Sequence, residues 1–186
     1  QKYINDTEWM LTYEANEVIV NSNYMKSEVQ RLFGLPFEKI NVVPNGVNLN
    51  KFTGMDRDYS FRRKYAMDNE KIILFMGRLV YEKGVQNLIA AMPKVLDSYH
   101  DAKLVIAGKG GMLDELRAQA DYLGISNKVY FAGYMNGKDV ERMYKAADIS
   151  VFPSTYEPFG IVALEGMLAE RPIVVSDAGG LGEIVE

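Results

Sequence analysis

From residue 71 onward, short apolar runs alternate with longer stretches in which apolar residues recur at helical spacing. Apolar runs without polar alternation indicate strands that are buried on both faces, as in a parallel sheet. We predict strands at 72–76, 103–107, 129–131, 149–152 and 173–176, and helices at 85–97, 112–123, 138–147 and 160–169. This alternation predicts an α/β fold with a Rossmann-like parallel sheet and helices on both faces.

The chain before residue 59 has a weaker pattern. It predicts helices at 6–15 and about 24–33 and strands at 18–20 and 40–43. Residues 45–56 are polar and lack a clear period, which is typical of a linker. We therefore predict three parts: 1–43 is the remnant of an N-terminal domain, 44–58 is a linker, and 59–186 is a C-terminal domain that is truncated at its C-terminus. Both ends fall inside predicted helices, so we expect a piece of a longer protein.

Composition excludes several classes of function. The 186 residues carry a net charge of −4, which argues against a broad electrostatic hold on nucleic acid or on an anionic membrane. Any anion site must therefore be local. The chain has no cysteine, which excludes disulfides and thiolate metal sites and fits a cytoplasmic protein. It also has no apolar run of about 18 residues, so we expect no membrane span.

A glycine-bracketed loop, Gly77–Gly84, follows the first predicted strand of the sheet. Parallel sheets of this kind bind ligands beyond the carboxyl ends of their strands. Gly77 lets the backbone turn tightly or approach a ligand closely. Arg78 offers a planar fork for phosphate oxygens and Lys83 offers a point charge, so the pair can hold a diphosphate without a metal. The alternative is a surface loop with two solvated cations.

The stretch from Ser154 to Glu170 combines a predicted helix start with two carboxylates. Gly160 opens the helix, Glu157 precedes it, and Glu165 lies about two turns along it. A helix start binds anions, and the carboxylates can accept hydrogen bonds from hydroxyl groups. A sugar joined to a phosphate meets both demands. The alternative is that Glu157 caps the helix and Glu165 is a solvated helix residue.

The other polar loops carry weaker signals. Residues 108–111 are interpreted as a plain turn between strand and helix, and residues 131–135 can either wall a flat base or form a tight turn. The glycines of 177–180 again allow close backbone approach. We interpret 56–58 as a surface charge cluster and His100 as solvated, and we therefore predict no metal held by the protein.

Seven motifs together resemble the retaining, nucleotide-sugar-dependent transferases of glycosyltransferase family 4 and the related glycogen synthases. Each motif alone is weak, but the set in this order is highly specific. They are V-P-N-G-V-N at 43–48, G-R-L-V-Y-E-K-G at 77–84, A-G-K-G at 107–110, F-A-G-Y at 131–134, A-D-I-S-V-F-P-S at 147–154, E-P-F-G-I-V-A-L-E at 157–165 and G-G-L-G-E-I-V at 179–185. The resemblance implies the two-domain GT-B fold, with 59–186 as the donor-binding domain and 1–43 as the tail of the acceptor-binding domain.

The resemblance also implies roles for individual residues. Arg78 and Lys83 match the basic pair that binds the donor diphosphate, and Glu165 matches the carboxylate that accepts the ribose hydroxyls. The remaining implied donor contacts are Gly77, the turn Gly133, Tyr134 and Met135 beside the base, Glu157, Phe159 and Gly160 beside the sugar, and the backbone N–H groups of Ile161 and Val162 on the phosphate. Glu157, Arg78 and Lys83 are the implied catalytic residues.

The function that follows is transfer of a hexose, with retention, from a nucleotide-diphosphate sugar such as UDP- or ADP-glucose to a glycan or small-molecule acceptor. No cofactor or metal is expected. Most of the acceptor domain is absent from this sequence, so we expect the chain alone to be inactive. The alternatives are a non-catalytic nucleotide-sugar-binding module and an epimerase or phosphorylase with the same fold; a phosphorylase would need a pyridoxal phosphate lysine, for which there is no clear candidate.

Overall fold

The computed structural model describes the backbone of residues 2–185 and the side chains of residues 6–185. Gln1 and Glu186, the outer limits of the predicted domains, lie outside the described residues. The chain forms two compact units. The smaller unit comprises Gln1–Gly46, Glu157–Gly160 and Asp177–Glu186, and the larger unit comprises Val47–Tyr156 and Ile161–Ser176.

The smaller unit contains two helices and a pair of parallel strands. The elements are α1 (Lys2–Glu14), β1 (Val18–Val20), α2 (Asn23–Phe33) and β2 (Ile40–Val42). The Ser22 hydroxyl accepts a hydrogen bond from the Met25 N–H at 3.1 Å and so caps the start of α2. Gly34 ends this helix in the left-handed conformation, with φ of 66°.

The larger unit is built on a five-stranded parallel sheet with strand order β5-β4-β3-β6-β7. A parallel sheet in this order confirms the predicted Rossmann-like α/β fold. Its elements, in chain order, are α3 (Tyr59–Arg62), β3 (Lys71–Met76), α4 (Val85–Ser98), β4 (Ala102–Ala107), α5 (Leu113–Tyr122), β5 (Val129–Gly133), α6 (Lys138–Ala146), β6 (Ile149–Phe152), α7 (Ile161–Leu168) and β7 (Ile173–Val175).

Apolar side chains of the central strands form the core of the larger unit. Leu104 and Ile106 of β4 are fully buried and pack in one cluster with residues of α4 and α5. On α4 the buried positions recur at helical spacing, at Val85, Leu88, Ile89 and Met92. The observed strands agree with the predicted ones to within two residues at each end. β3, β4 and β5 are longer because ladder hydrogen bonds extend past the apolar runs, whereas β7 ends one residue earlier than predicted.

The structure divides the predicted linker, 44–58, between the two units. Leu49–Phe52 forms a 3-10 turn of the larger unit, and Phe52 is buried with its ring edge-on to that of Tyr144 at 6.0 Å. A single buried aromatic gives no periodic signal, so the sequence pattern predicts no helix or strand in this segment. The assignment of acceptor and donor domains stays a prediction.

The interpretation of 56–58 as a surface charge cluster leaves out the ion-pair partners of two of its three residues. Arg57 pairs with Asp148 at 3.1 Å, and Asp58 pairs with Arg142 at 2.6 Å. Asp58 also caps α3 by accepting the Phe61 N–H at 2.9 Å. These partners lie far along the chain, so the local sequence does not reveal them. His100 is exposed, as predicted.

Candidate functional site

The loops that follow β3, β4 and β5 lie side by side at the carboxyl edge of the sheet, because these strands are neighbours. The Gly77 N–H donates to the Ala107 carbonyl at 3.0 Å, and the Gly108 N–H donates to the Gly133 carbonyl at 2.8 Å. These hydrogen bonds continue the ladder into the loops. The backbone that bears Arg78 is thereby fixed at the edge where parallel sheets bind ligands.

Two glycines of the loop after β4 are required by close backbone contact. A Cβ atom on Gly108 would lie 1.8 Å from the carbonyl oxygen of Gly77, and one on Gly110 would lie 2.2 Å from that of Leu79. The interpretation of 108–111 as a plain turn therefore misses its role. This turn packs directly against the loop that carries Arg78.

A cavity of about 260 Å³ opens between these loops. Tyr134 and Met135 form one side of it, and Lys109 places its amine 4.8 Å from the centre of the Tyr134 ring. The structure thus brings together the predicted residues Gly77, Arg78, Tyr134 and Met135. It adds four lining residues that sequence reasoning missed, Met76, Ala107, Gly108 and Lys109. The sequence signal that could have identified them is the lysine between two glycines in A-G-K-G at 107–110.

A larger hollow, of about 740 Å³, lies at the opposite edge of the sheet, at the amino ends of β3, β4 and β5. Charged side chains on its walls already pair with one another, as Arg63 does with Asp68 at 2.8 Å and Lys128 with Glu70 at 3.2 Å. Ligands of parallel sheets bind at the carboxyl ends of the strands. We therefore assign the candidate site to the smaller cavity.

The basic loop between β3 and α4 is held from beneath and presents Arg78 to solvent. Gly84 has φ of 69°, and a Cβ atom there would lie 1.9 Å from the Pro153 carbonyl oxygen. The Thr155 N–H donates to the Glu82 carbonyl at 2.8 Å. The Arg78 side chain is 72% exposed, and its guanidinium lies 3.7 Å from the Glu82 carboxylate. The Arg78 guanidinium is therefore accessible from solvent to an anionic ligand.

Glu165 lies on α7 in a polar cluster within the larger unit. One carboxylate oxygen contacts the Lys51 ammonium, and the other accepts from the Tyr144 hydroxyl at 3.2 Å. Burial, together with the Glu165 charge, raises the pKa of Tyr144 well above its usual value, so its hydroxyl remains a donor. The Glu165 side chain is only 18% exposed, so its interpretation as a solvated helix residue is wrong. Glu165 lies outside the 260 Å³ cavity.

Glu157, Phe159 and Gly160 belong to the smaller unit, and Glu157 and Phe159 are buried. The Gly180 N–H donates to the Glu157 carbonyl at 2.8 Å, and a Cβ atom on Gly179 would lie 2.2 Å from that oxygen. The glycines of 177–180 were predicted to allow close backbone approach, and the backbone that they approach is that of Glu157. Ile161 and Val162 are the first residues of α7, where N–H groups have no intrahelical acceptor.

Among residues 2–185, none of the helices combines the length and apolar character that crossing a bilayer requires. In the same part of the chain, acidic and histidine side chains form no group of three or more placed to hold a metal ion.

Comparisons with known proteins define the class. The family model for glycosyl transferases group 1 matches residues 56–186, and that for glycosyltransferase family 4 matches residues 1–51. Because the first match covers well over half of the sequence, the chain belongs to the glycosyl transferases group 1 family. This confirms the resemblance seen in the seven motifs.

Individual relatives agree with the family assignment. The chain is 48% identical to an uncharacterized glycosyltransferase of Methanocaldococcus jannaschii over 100% of its own length and 48% of that protein. It is 35% identical to the glycogen synthase of Mycobacterium tuberculosis over 99% of its own length and 43% of that enzyme. The chain therefore spans about half the length of the curated relatives it matches.

Solved structures share the architecture. The crystal structure of Anabaena HepE in complex with UDP and glucose matches 92% of this chain and 47% of its own, with a TM-score of 0.81 and 28% identity. Sucrose-phosphate synthase from Thermosynechococcus elongatus matches 100% of this chain and 47% of its own, with a TM-score of 0.83 and 27% identity. These matches agree with the GT-B fold that the motifs imply.

Proposed function

We propose that the chain is the donor-binding part of a retaining glycosyltransferase that transfers a hexose from a nucleotide-diphosphate sugar to a glycan or other acceptor. The observation that carries the proposal is the cavity at the carboxyl edge, where an exposed arginine stands beside a largely apolar slot. An apolar slot next to a cation suits a nucleotide, which joins a flat base to a charged diphosphate. The structure of Anabaena HepE with UDP-glucose supports a donor of this kind.

Each part of the donor has a proposed partner. The base lies against Tyr134 and Met135, which border the cavity. Arg78 and Lys83 bind the diphosphate, together with the N–H groups of Ile161 and Val162 at the start of α7. Glu165 accepts hydrogen bonds from the ribose hydroxyls. The segment of Glu157, Phe159 and Gly160 contacts the hexose.

These roles account for the chemistry of transfer. The bond between the anomeric carbon and the diphosphate oxygen breaks, the acceptor oxygen forms a bond to the same face of that carbon, and the acceptor's proton passes to the departing diphosphate. Negative charge grows on the departing diphosphate, where Arg78 and Lys83 stabilise it. Positive charge grows at the anomeric carbon, where a carboxylate at position 157 orients the sugar or stabilises the charge.

The proposal assigns no step to a metal ion, since two cations and a helix start supply the positive charge. The acceptor is a glycan or a small molecule. Relatives that include a glycogen synthase and a D-inositol 3-phosphate glycosyltransferase support an acceptor of either kind.

The test is transfer by a full-length protein that contains this chain. UDP-glucose and ADP-glucose are supplied with a glucan acceptor, and the anomeric configuration of the product is read by proton NMR. An α-linked product from an α-linked donor is expected. A β-linked product contradicts retention, and binding of UDP without transfer or hydrolysis of any donor contradicts the enzymatic proposal in favour of a binding module.

A further inference from the structure

The Glu165 carboxylate is held on both of its oxygens by residues from two other parts of the larger unit. Lys51, from the 3-10 turn at 49–52, contacts Oε1, and Tyr144, near the end of α6, donates to Oε2 at 3.2 Å. The phenol also lies 3.3 Å from the Val162 carbonyl oxygen, on the same helix as Glu165. Two separate elements thus fix one carboxylate on α7.

The surroundings keep these contacts in place. Tyr144 is fully buried, and its ring is packed edge-on against Phe52, the residue that follows Lys51. The Lys51 side chain is itself only 25% exposed. The lysine and the tyrosine are therefore part of one packed cluster, and neither has the rotational freedom of a surface side chain.

The two contacts leave acceptor capacity on the carboxylate. An ionised carboxylate has about four lone-pair positions, and Lys51 and Tyr144 take two of them. A pair of neighbouring hydroxyl groups can use the other two. The lysine makes a charge-assisted contact with one oxygen, and the phenol fixes the direction of the carboxylate plane.

We propose that Lys51 and Tyr144 are positioning residues that hold the Glu165 carboxylate ready to accept the two ribose hydroxyls of a nucleoside diphosphate. The inference rests on the proposed function, because it assumes that Glu165 faces the ribose. It predicts a loss confined to ligands with ribose hydroxyls, since neither residue touches the ligand. A purely structural role predicts instead that all nucleotides are affected alike.

The experiment compares UDP with 2′,3′-dideoxy-UDP by isothermal titration calorimetry on the chain. The ratio of the two dissociation constants reports the hydroxyl contacts. We expect the wild type to prefer UDP by about tenfold or more, as for hydrogen bonds to a charged group. Lys51→Met and Tyr144→Phe should each lower this preference by at least about threefold. Their affinity for the dideoxy compound should change by less than about twofold.

Matched variants separate positioning from general damage. Lys51→Arg keeps the charge and should retain the wild-type preference. Lys94→Met and Tyr122→Phe make the same chemical changes at exposed positions of α4 and α5 and should change nothing. If Tyr144→Phe does not fold, Lys51→Met and Lys51→Arg still decide the question, because Lys51 lies in a turn at the edge of the cluster.

The outcomes distinguish this inference from the proposed function. If Glu165→Gln abolishes the preference for UDP but Lys51→Met and Tyr144→Phe retain it, the positioning role is wrong and the nucleotide site stands. If the wild type binds both ligands equally, Glu165 does not meet the ribose and both its assigned role and the inference are wrong. If the wild type binds neither ligand at millimolar concentration, the proposed donor site itself is contradicted.

Discussion

Arg78 and Glu157 are assigned to different parts of the donor, and substitutions can separate them. In a full-length protein that contains the chain, Glu157→Gln keeps the size of the side chain but removes its charge. We expect the UDP dissociation constant to change by less than about threefold, or roughly 0.7 kcal/mol. The turnover number should fall on the order of a hundredfold, because the lost interaction acts mainly in the transition state.

The comparison variant for Glu157→Gln is Arg78→Ala. The diphosphate that Arg78 is proposed to bind is already present in the ground state. Arg78→Ala should weaken the binding of the bare nucleoside diphosphate, measured by the same titration. A parallel loss of UDP binding in both variants would show that Glu157 supports the loop rather than the sugar. The buried position of Glu157 makes this control necessary.

Asp148 permits a prediction about pH at the residue scale. Burial raises the pKa of Asp148, but the Ile72 N–H and the Arg62 and Arg57 guanidinium groups lower it by more, so the net shift is downward. A carboxylate with a lowered pKa stabilises the fold above its unfolded pKa, and this contribution is lost as the pH falls through the folded value. Asp148 hydrogen-bonds the Ile72 N–H at 2.9 Å and pairs with Arg62 at 3.0 Å.

Asp148→Asn should therefore lower the free energy of unfolding by about 2 kcal/mol at pH 7, because it leaves the buried Arg62 without its counter-charge. The difference from wild type should shrink as the pH falls below about 4, the ordinary aspartate range. Urea titrations at several pH values measure this difference in the free energy of unfolding. Asp68→Asn, in an exposed pair with Arg63, is the control and should have little effect. A difference that grows toward low pH would contradict the assignment.

At the scale of elements, two loops must interlock to form the cavity. Gly108→Ala would place a Cβ atom 1.8 Å from the Gly77 carbonyl oxygen, so the loops must separate. We expect a loss of stability of about 2 kcal/mol or more and weaker UDP binding. Gly111→Ala, in the same turn, has nothing within 4 Å of its Cβ position and should leave both nearly unchanged. Thermal melts and UDP titrations measure both effects. Equal losses in Gly108→Ala and Gly111→Ala would contradict the requirement for close contact between the two loops.

The sequence predicts elements better than it predicts contacts. The apolar runs locate all five strands of the larger sheet. Burial on both faces explains the continuous signal of the central strands, whereas Tyr130 of β5 and Val174 of β7 are exposed although their strands are apolar. Arg78, Tyr134 and Met135 were found because each follows a predicted strand. Lys51, Lys109 and Tyr144 were missed, because a lysine in a polar segment or an aromatic on a helix carries no local sign of its distant partner.

At the scale of the whole molecule, the chain spans about half the length of the curated relatives it matches. The residues proposed for the donor's base, diphosphate and ribose all lie in the larger unit. Nucleotide binding is therefore the function that this chain can be asked to perform by itself. Transfer is a property proposed for the longer protein.

The most direct test of the donor site is calorimetric titration of UDP and ADP into the chain in the presence of excess EDTA. We expect at least one of the two nucleotides to bind with a dissociation constant at or below about a millimolar, which is a binding free energy of roughly −4 kcal/mol. Arg78→Ala should weaken it about tenfold, the scale of a charge-assisted hydrogen bond. Binding that disappears with EDTA would contradict the metal-free site, and binding that Arg78→Ala leaves intact would contradict its place at the carboxyl edge of the sheet.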